Sequence, residues 1–215
     1  MTAPTQLAVL VSGRGTNLQA LLEGLSPTGP AKVARVISSH VGAEALERAS
    51  GAGIPTSILA NSADADEVAA ALGDPDLVVL AGYVKRVPSA VVRRFFLRMI
   101  NIHPALLPAF GGVGMYGARV HESVLASGAT ISGATVHYVD EEYDHGPVIA
   151  QWPVPVRQGD TAASLGARVL AVEHRLLPLV VTALARLGVP RTPVRLFPLG
   201  TAFHAGEGIA IAAAE

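Results

Sequence analysis

Cysteine is absent from the 215 residues, which excludes disulfides and thiolate metal ligands and is compatible with a reducing compartment. An excess of either charge is absent too: 16 Lys and Arg face 17 Asp and Glu, a formal charge of -1. That balance leaves no basic footprint for a nucleic-acid partner. The opening Met1-Thr2-Ala3-Pro4-Thr5-Gln6 has neither the basic nor the long apolar region of a signal peptide, and no apolar run reaches membrane-spanning length. Internal repeats, low-complexity linkers and charge blocks are missing, so nothing divides the chain into separate domains. These absences predict a single-domain cytoplasmic protein, monomer or homodimer, that works on small molecules away from nucleic acid and membrane. With hydrophobic residues at 50% it can bury a sizeable core.

What is present is an alternation of short apolar runs and helical spacings. Residues 7–11 read as a strand ending at Ser12-Gly13-Arg14-Gly15-Thr16-Asn17, after which Leu18, Leu21, Leu22 and Leu25 recur at helical spacing. Strands follow at 32–38, 56–59 and 76–81, with helices at 43–52, 64–72 and 88–96 between and after them. The run at 76–81 is continuously apolar, as in a parallel sheet buried on both faces. Beyond residue 103 the pattern changes. A helix at 118–127 precedes an alternating strand at 134–139 and a longer one at 148–156, whose Pro153 and Pro155 argue for a sheet edge. Residues 161–187 form a long helical pattern with Asp160 or Thr161 as N-cap and a bend expected near Pro178. The remainder, 189–215, reads as a C-terminal extension with one strand near 194–197 and a tail that frays from residue 209.

The central stretch is Met99-Ile100-Asn101-Ile102-His103-Pro104. In extended backbone Asn101 and His103 project from the same face. Pro104 stops the ladder, and the glycine-rich segment 109–117 follows, so the pair belongs at a strand end beside a loop, where α/β proteins place their chemistry. A second candidate is the turn Gly13 to Asn17 at a helix N-terminus, where backbone N–H groups, the Thr16 hydroxyl and the Asn17 amide make an anion cradle suited to a phosphate monoester. Its glycines are equally accounted for by a turn needing positive φ. The sequence argues against a dinucleotide, because Leu18 stands where the third fingerprint glycine belongs and residues 32–39 carry no acid for a ribose. The third candidate, Asp140-Glu141-Glu142-Tyr143-Asp144-His145-Gly146-Pro147, reads by composition as a solvated turn. No spacing of His121, His137, Asp144 or His145 is of zinc type, so no metal is expected.

Taken in order, Ser12-Gly-Arg-Gly-Thr-Asn17, Asn101-Ile-His103-Pro-Ala-Leu-Leu-Pro108, Gly133-Ala-Thr-Val-His137 and Asp144-His-Gly-Pro147 closely resemble the folate-dependent phosphoribosylglycinamide formyltransferases. The resemblance implies an α/β fold over residues 1–188: a single domain with a mostly parallel seven-stranded sheet flanked by helices, its N-terminal half Rossmann-like. It implies Asn101, His103 and Asp144 as the catalytic trio, with Gly13, Gly15, Thr16, Asn17 and Leu18 holding the substrate phosphate and Glu173 the glycinamide. It also implies 10-formyltetrahydrofolate as co-substrate, gripped by Val84, Lys85, Arg86 and Val87, by Asn101, and by Asp140, Glu141, Glu142, Tyr143 and Asp144. Two features depart from the pattern. Residues 61–73 carry no Arg where relatives place a folate-contacting one, and Lys85-Arg86 replaces the commoner Arg-Ile, so Lys85 and Arg86 are the expected grip on the folate tail.

The implied reaction is attack of the glycine amine on the formyl carbon. Asn101 would donate to the oxyanion, and His103, charged beside Asp144, would donate as an imidazolium. Two readings compete. Methionyl-tRNA formyltransferase needs a further domain and tRNA, for which this chain is too short and too evenly charged. A non-catalytic sugar-phosphate-binding module would have no use for the trio.

Overall fold

The computed structural model describes residues 3–198 and 209–211. Its first half is β1 (Thr5–Val11), α1 (Thr16–Gly24), β2 (Ala31–Ser38), α2 (Glu44–Gly51), β3 (Thr56–Ile58), α3 (Ala65–Leu72), β4 (Leu77–Leu80), α4 (Ser89–Arg94) and β5 (Met99–His103). Then come α5 (Ala118–Ala126), β6 (Ile131–Tyr138), β7 (Val148–Pro155), α6 (Ala162–Arg186), β8 (Leu196–Pro198) and β9 (Ile209–Ile211). The main sheet has seven strands in the order β3-β2-β1-β4-β5-β6-β7. Strands β1 to β5 pair in parallel and β6 and β7 antiparallel.

Both faces of this sheet are covered, which is why its central strands read as unbroken apolar runs. Leu7, Val9 and Val11 of β1 enter one core with Leu18 and Leu21 of α1 and Leu176, Leu177 and Val180 of α6. Ala8 and Leu10 enter the other, with Val68 of α3, Val91 and Val92 of α4, and Phe95. After β1 the chain builds outward through β2 and β3, then crosses back to β4 on the far side of β1. In open α/β sheets such a reversal opens a crevice at the carboxyl ends of the strands, here β1, β4 and β5.

Period-two alternation then decides which side chains meet. Ile100 and Ile102 lie in the core that holds Leu7, while Met99 lies in the opposite one. Asn101 and His103 therefore stand on the Met99 face. Ala134, Val136 and Tyr138 of β6 share the core of Ile100. That puts Thr135 and His137 on the Asn101 face, and the register pairs Asn101 with His137 and His103 with Thr135.

Strand β7 is the edge that its prolines require. Thr161 caps α6: its hydroxyl accepts from the Ser164 amide while the Ser164 hydroxyl accepts from the Thr161 amide. The helix continues through Pro178 to Arg186. At the C-terminus, Leu196 of β8 is buried in the main core. Residues 209–211, expected to fray, pair antiparallel with β8, and the rest of that tail, 212–215, lies outside the described residues.

Candidate active site

His103 is 3% exposed at the end of β5, and its Nε2 lies 2.8 Å from the Phe110 carbonyl oxygen. A carbonyl only accepts, so Nε2 carries the hydrogen. The other ring nitrogen, Nδ1, faces Asp144 Oδ2 at 3.4 Å. That same oxygen accepts from the Gly112 amide at 2.9 Å. Asn101 Nδ2 lies 3.1 Å from His137 Nε2 and 3.5 Å from Asp144 Oδ1. Phe110 and Asp144 hold φ of 56° and 55°, the left-handed region where backbone strain collects around functional groups.

Burial pushes the His103 pKa below its ordinary value. Asp144 and the Phe110 carbonyl pull it up without compensating. The charged imidazolium expected from the sequence is thereby corrected: neighbouring carboxylate and buried ring act in opposite directions, and burial wins. Asp144 shows the reverse balance. Its own burial works to raise its pKa, but the polar groups around it, the Gly112 N–H among them, hold it below the ordinary carboxylate value. The site is thus an ionised carboxylate against an imidazole that still has room for one proton, at Nδ1.

A cleft of about 870 Å³ opens over this group. Asn101, His103 and Asp144 line it together with Val84, Lys85, Arg86 and Val87 after β4, Asp140 to Tyr143 after β6, Asn17 of α1 and Glu173 of α6. Arg86 donates from Nη2 to the Glu141 carbonyl at 2.8 Å, and Arg93 of α4 pairs with the Glu141 carboxylate at 3.0 Å. The acidic turn is therefore pinned to α4 rather than free in solvent, although Tyr143 remains 42% exposed.

The glycine turn borders this cleft only in part, through Arg14 and Asn17. Gly13, Gly15, Thr16 and Leu18 do not line this cleft. Leu18 is a core side chain, and Thr16 borders an adjoining hollow with Arg48 and His174. Gly15 precedes α1 with φ of 71°, and a Cβ there would lie 2.5 Å from the Ala45 Cβ, so glycine is needed for α1 to meet α2. The Asn17 amide is engaged: Nδ2 donates to Glu173 Oε2 at 2.7 Å, while Oδ1 is buried without a protein partner. What remains for an anion is the first turn of α1, which has no side-chain cap and so leaves backbone N–H groups unsatisfied. Burial pushes the Glu173 carboxyl pKa upward, offset in part by Asn17.

Residues 5–181 match the formyl transferase domain family. The chain belongs to the formyl transferase family. It is 43% identical over 198 residues to phosphoribosylglycinamide formyltransferase of Mycobacterium tuberculosis, covering 87% of this chain and 88% of that protein. The chloroplastic phosphoribosylglycinamide formyltransferase of Vigna unguiculata is 42% identical over 190 residues, 83% of this chain, which spans only 60% of that relative's length. The crystal structure of phosphoribosylglycinamide formyltransferase from Anaplasma phagocytophilum superposes with a TM-score of 0.82 at 34% identity, over 99% of this chain and 96% of that one.

In this chain, sequence reasoning left three contributors to the site unassigned. His137 touches Asn101, the Phe110 carbonyl fixes the His103 tautomer, and the Gly112 N–H holds Asp144. The first had a signal: Thr135 and His137 repeat the spacing of Asn101 and His103 on a neighbouring strand. The other two are backbone groups, which no residue type announces. Among the described residues no group of three or more His, Asp or Glu could hold a metal ion.

Proposed function

We propose that the chain transfers the formyl group of 10-formyltetrahydrofolate to the glycine amine of 5-phosphoribosylglycinamide, a step of purine biosynthesis, within residues 1–188. The observation that carries this reading is the buried contact of His103, Asp144 and Asn101 at one cleft with the 84–87 loop, the 140–144 turn and Glu173, in a chain of this family.

The amine attacks the formyl carbon and negative charge develops on the formyl oxygen. Asn101 donates to that oxygen from Nδ2, a preorganised donor of this kind contributing about 10²–10³ in rate. The proton released by the amine goes to Nδ1 of His103, and Asp144 at 3.4 Å stabilises the imidazolium so formed. It then passes to N10 as the carbon–N10 bond breaks. The order of charge differs from a ring protonated beforehand: neutral His103 begins as base and ends as acid.

The N–H groups of the first α1 turn, with Gly13 and the Thr16 hydroxyl, hold the phosphate. Asn17 acts through its side chain on Glu173, which holds the glycinamide end. The pterin lies along Val84 to Val87 and Asp140 to Asp144, and Lys85 is the nearby cation in that loop for the glutamate tail, since Arg86 is engaged with Glu141. Purified protein supplied with both substrates is expected to release tetrahydrofolate, read by absorbance, in proportion to the acceptor added. No acceptor-dependent release would overturn the assignment.

A further inference from the structure

His137 is 2% exposed and directly opposite Asn101 in the β5–β6 ladder, yet the mechanism above does not use it. Its Nδ1 lies 2.8 Å from the Tyr138 carbonyl oxygen. Since the carbonyl can only accept, Nδ1 carries the hydrogen, and in the neutral ring the lone pair is left on Nε2. That lone pair meets Asn101 Nδ2 at 3.1 Å. Asp144 Oδ1 lies 3.6 Å from the same Nε2 and 3.5 Å from the same Nδ2.

Two consequences follow for the Asn101 amide. Turned end for end, it would set its own oxygen against the Nε2 lone pair and the Asp144 carboxylate, three acceptors with no hydrogen among them. The nitrogen end is therefore the one selected. The three distances, 3.1, 3.5 and 3.6 Å, make a nearly equilateral triangle, so the two acceptors subtend roughly 60° at Nδ2, whereas amide N–H bonds diverge by about 120°. One N–H can point along the line to His137. The second then points along neither line, and Asn101 borders the cleft.

We infer that His137 is a positioning residue for formyl transfer: its Nδ1–H tautomer, set by the Tyr138 carbonyl, orients the Asn101 amide so that one N–H is anchored and the other is presented to the formyl oxygen. The inference rests on the formyl-transfer reading above. The ladder supports the arrangement, since the β6–β7 register slips by one residue between Val136 and His137, an irregularity of the kind that re-aims side chains beside active sites.

The test compares His137→Gln, whose side-chain oxygen can still accept from Asn101, with His137→Leu, which cannot. His137→Leu is expected to lower kcat by about 10–100-fold, as loss of a supporting partner typically does, with KM for both substrates little changed. His137→Gln is expected to recover most of that loss. In an Asn101→Ala background His137→Leu is expected to cost little further, because the two act as one unit. Equal damage in Gln and Leu variants of normal melting temperature, or losses that add to those of Asn101→Ala, would overturn the inference. Nitrogen-15 NMR of the wild-type imidazole decides independently of any variant's folding: Nδ1 is expected to be protonated and Nε2 to carry the lone pair, and the opposite tautomer refutes the assignment. Wild-type protein that shows this tautomer but forms no product refutes the catalytic reading instead, and with it the role but not the geometry.

Discussion

Asp144 is the residue whose charge does most at this site, because it lies between two buried imidazoles and is itself held ionised. Replacing it with Asn keeps the shape and removes the charge that stabilises His103 once protonated. We expect Asp144→Asn to lose about 10²–10⁴ in kcat, the scale of a positioned acid–base group. The sign of the pH effect follows from His103. Its pKa is already lowered by burial, so the neutral ring that accepts the proton is lost only below the ordinary imidazole range, and without the carboxylate the acid limb of the rate profile moves to still lower pH. An unshifted limb with near-normal rate would return Asp144 to an ordinary turn residue. Glu173 carries the opposite balance. Its folded-state pKa is raised by burial, so whatever stability the protonated form contributes is present below the unfolded value and is lost as pH rises through the folded one. Glu173→Gln, which can still accept from Asn17, should therefore melt higher than wild type at pH 8, with the gap closing toward pH 4, while KM for the glycinamide substrate rises. A melting gap independent of pH would show that the carboxyl is not desolvated.

At the scale of elements, two helices meet at Gly15. Its φ of 71° and the 2.5 Å approach of a Cβ to Ala45 mean that Gly15→Ala must both strain the backbone and part α1 from α2. Such positions cost on the order of 1–3 kcal/mol, which a urea midpoint measures, and the tilted first turn should also raise KM for the phosphate-bearing substrate. A variant as stable as wild type would show that the turn can relax. The acidic turn is a different kind of element, held from outside by Arg86 and Arg93. The Arg93–Glu141 pair leaves its partners 63% and 47% exposed, and exposed pairs of this sort contribute about 0–1 kcal/mol. Arg86→Ala should accordingly leave the melting temperature nearly unchanged yet weaken folate binding in calorimetry, because Glu141 loses the donor on its carbonyl. Unaltered folate affinity would place the grip elsewhere.

Across the whole molecule, the uncapped start of α1 follows β1 while Asn101 and His103 end β5, with β4 between them in the sheet. On the proposed reading, a substrate held at both places would bridge that strand, with its phosphate and its amine read by different elements of one frame. Removing the phosphate should therefore leave the chemistry intact and weaken binding. Charge-assisted hydrogen bonds contribute about 1.5–3 kcal/mol each, so glycinamide riboside is expected to show KM raised by roughly 10²-fold or more with kcat far less affected. Equal kcat/KM for riboside and ribotide would refute phosphate binding at α1.

The sequence by itself determined the alternating elements of the α/β frame, the same-face placement of Asn101 and His103, and the edge position of β7, because each follows from a period or a proline that acts locally. Tertiary structure alone decided the rest. Asp144 reads as a solvated acid until the turn after β6 folds back onto β5 and burial meets two imidazoles. Asn17 reads as a free amide until α6 brings Glu173 to it from 156 positions away. His103 looks charged from its carboxylate neighbour, and only its depth in the protein reverses that balance. In each case the deciding quantity is desolvation or a long-range partner, neither of which is a property of the local sequence.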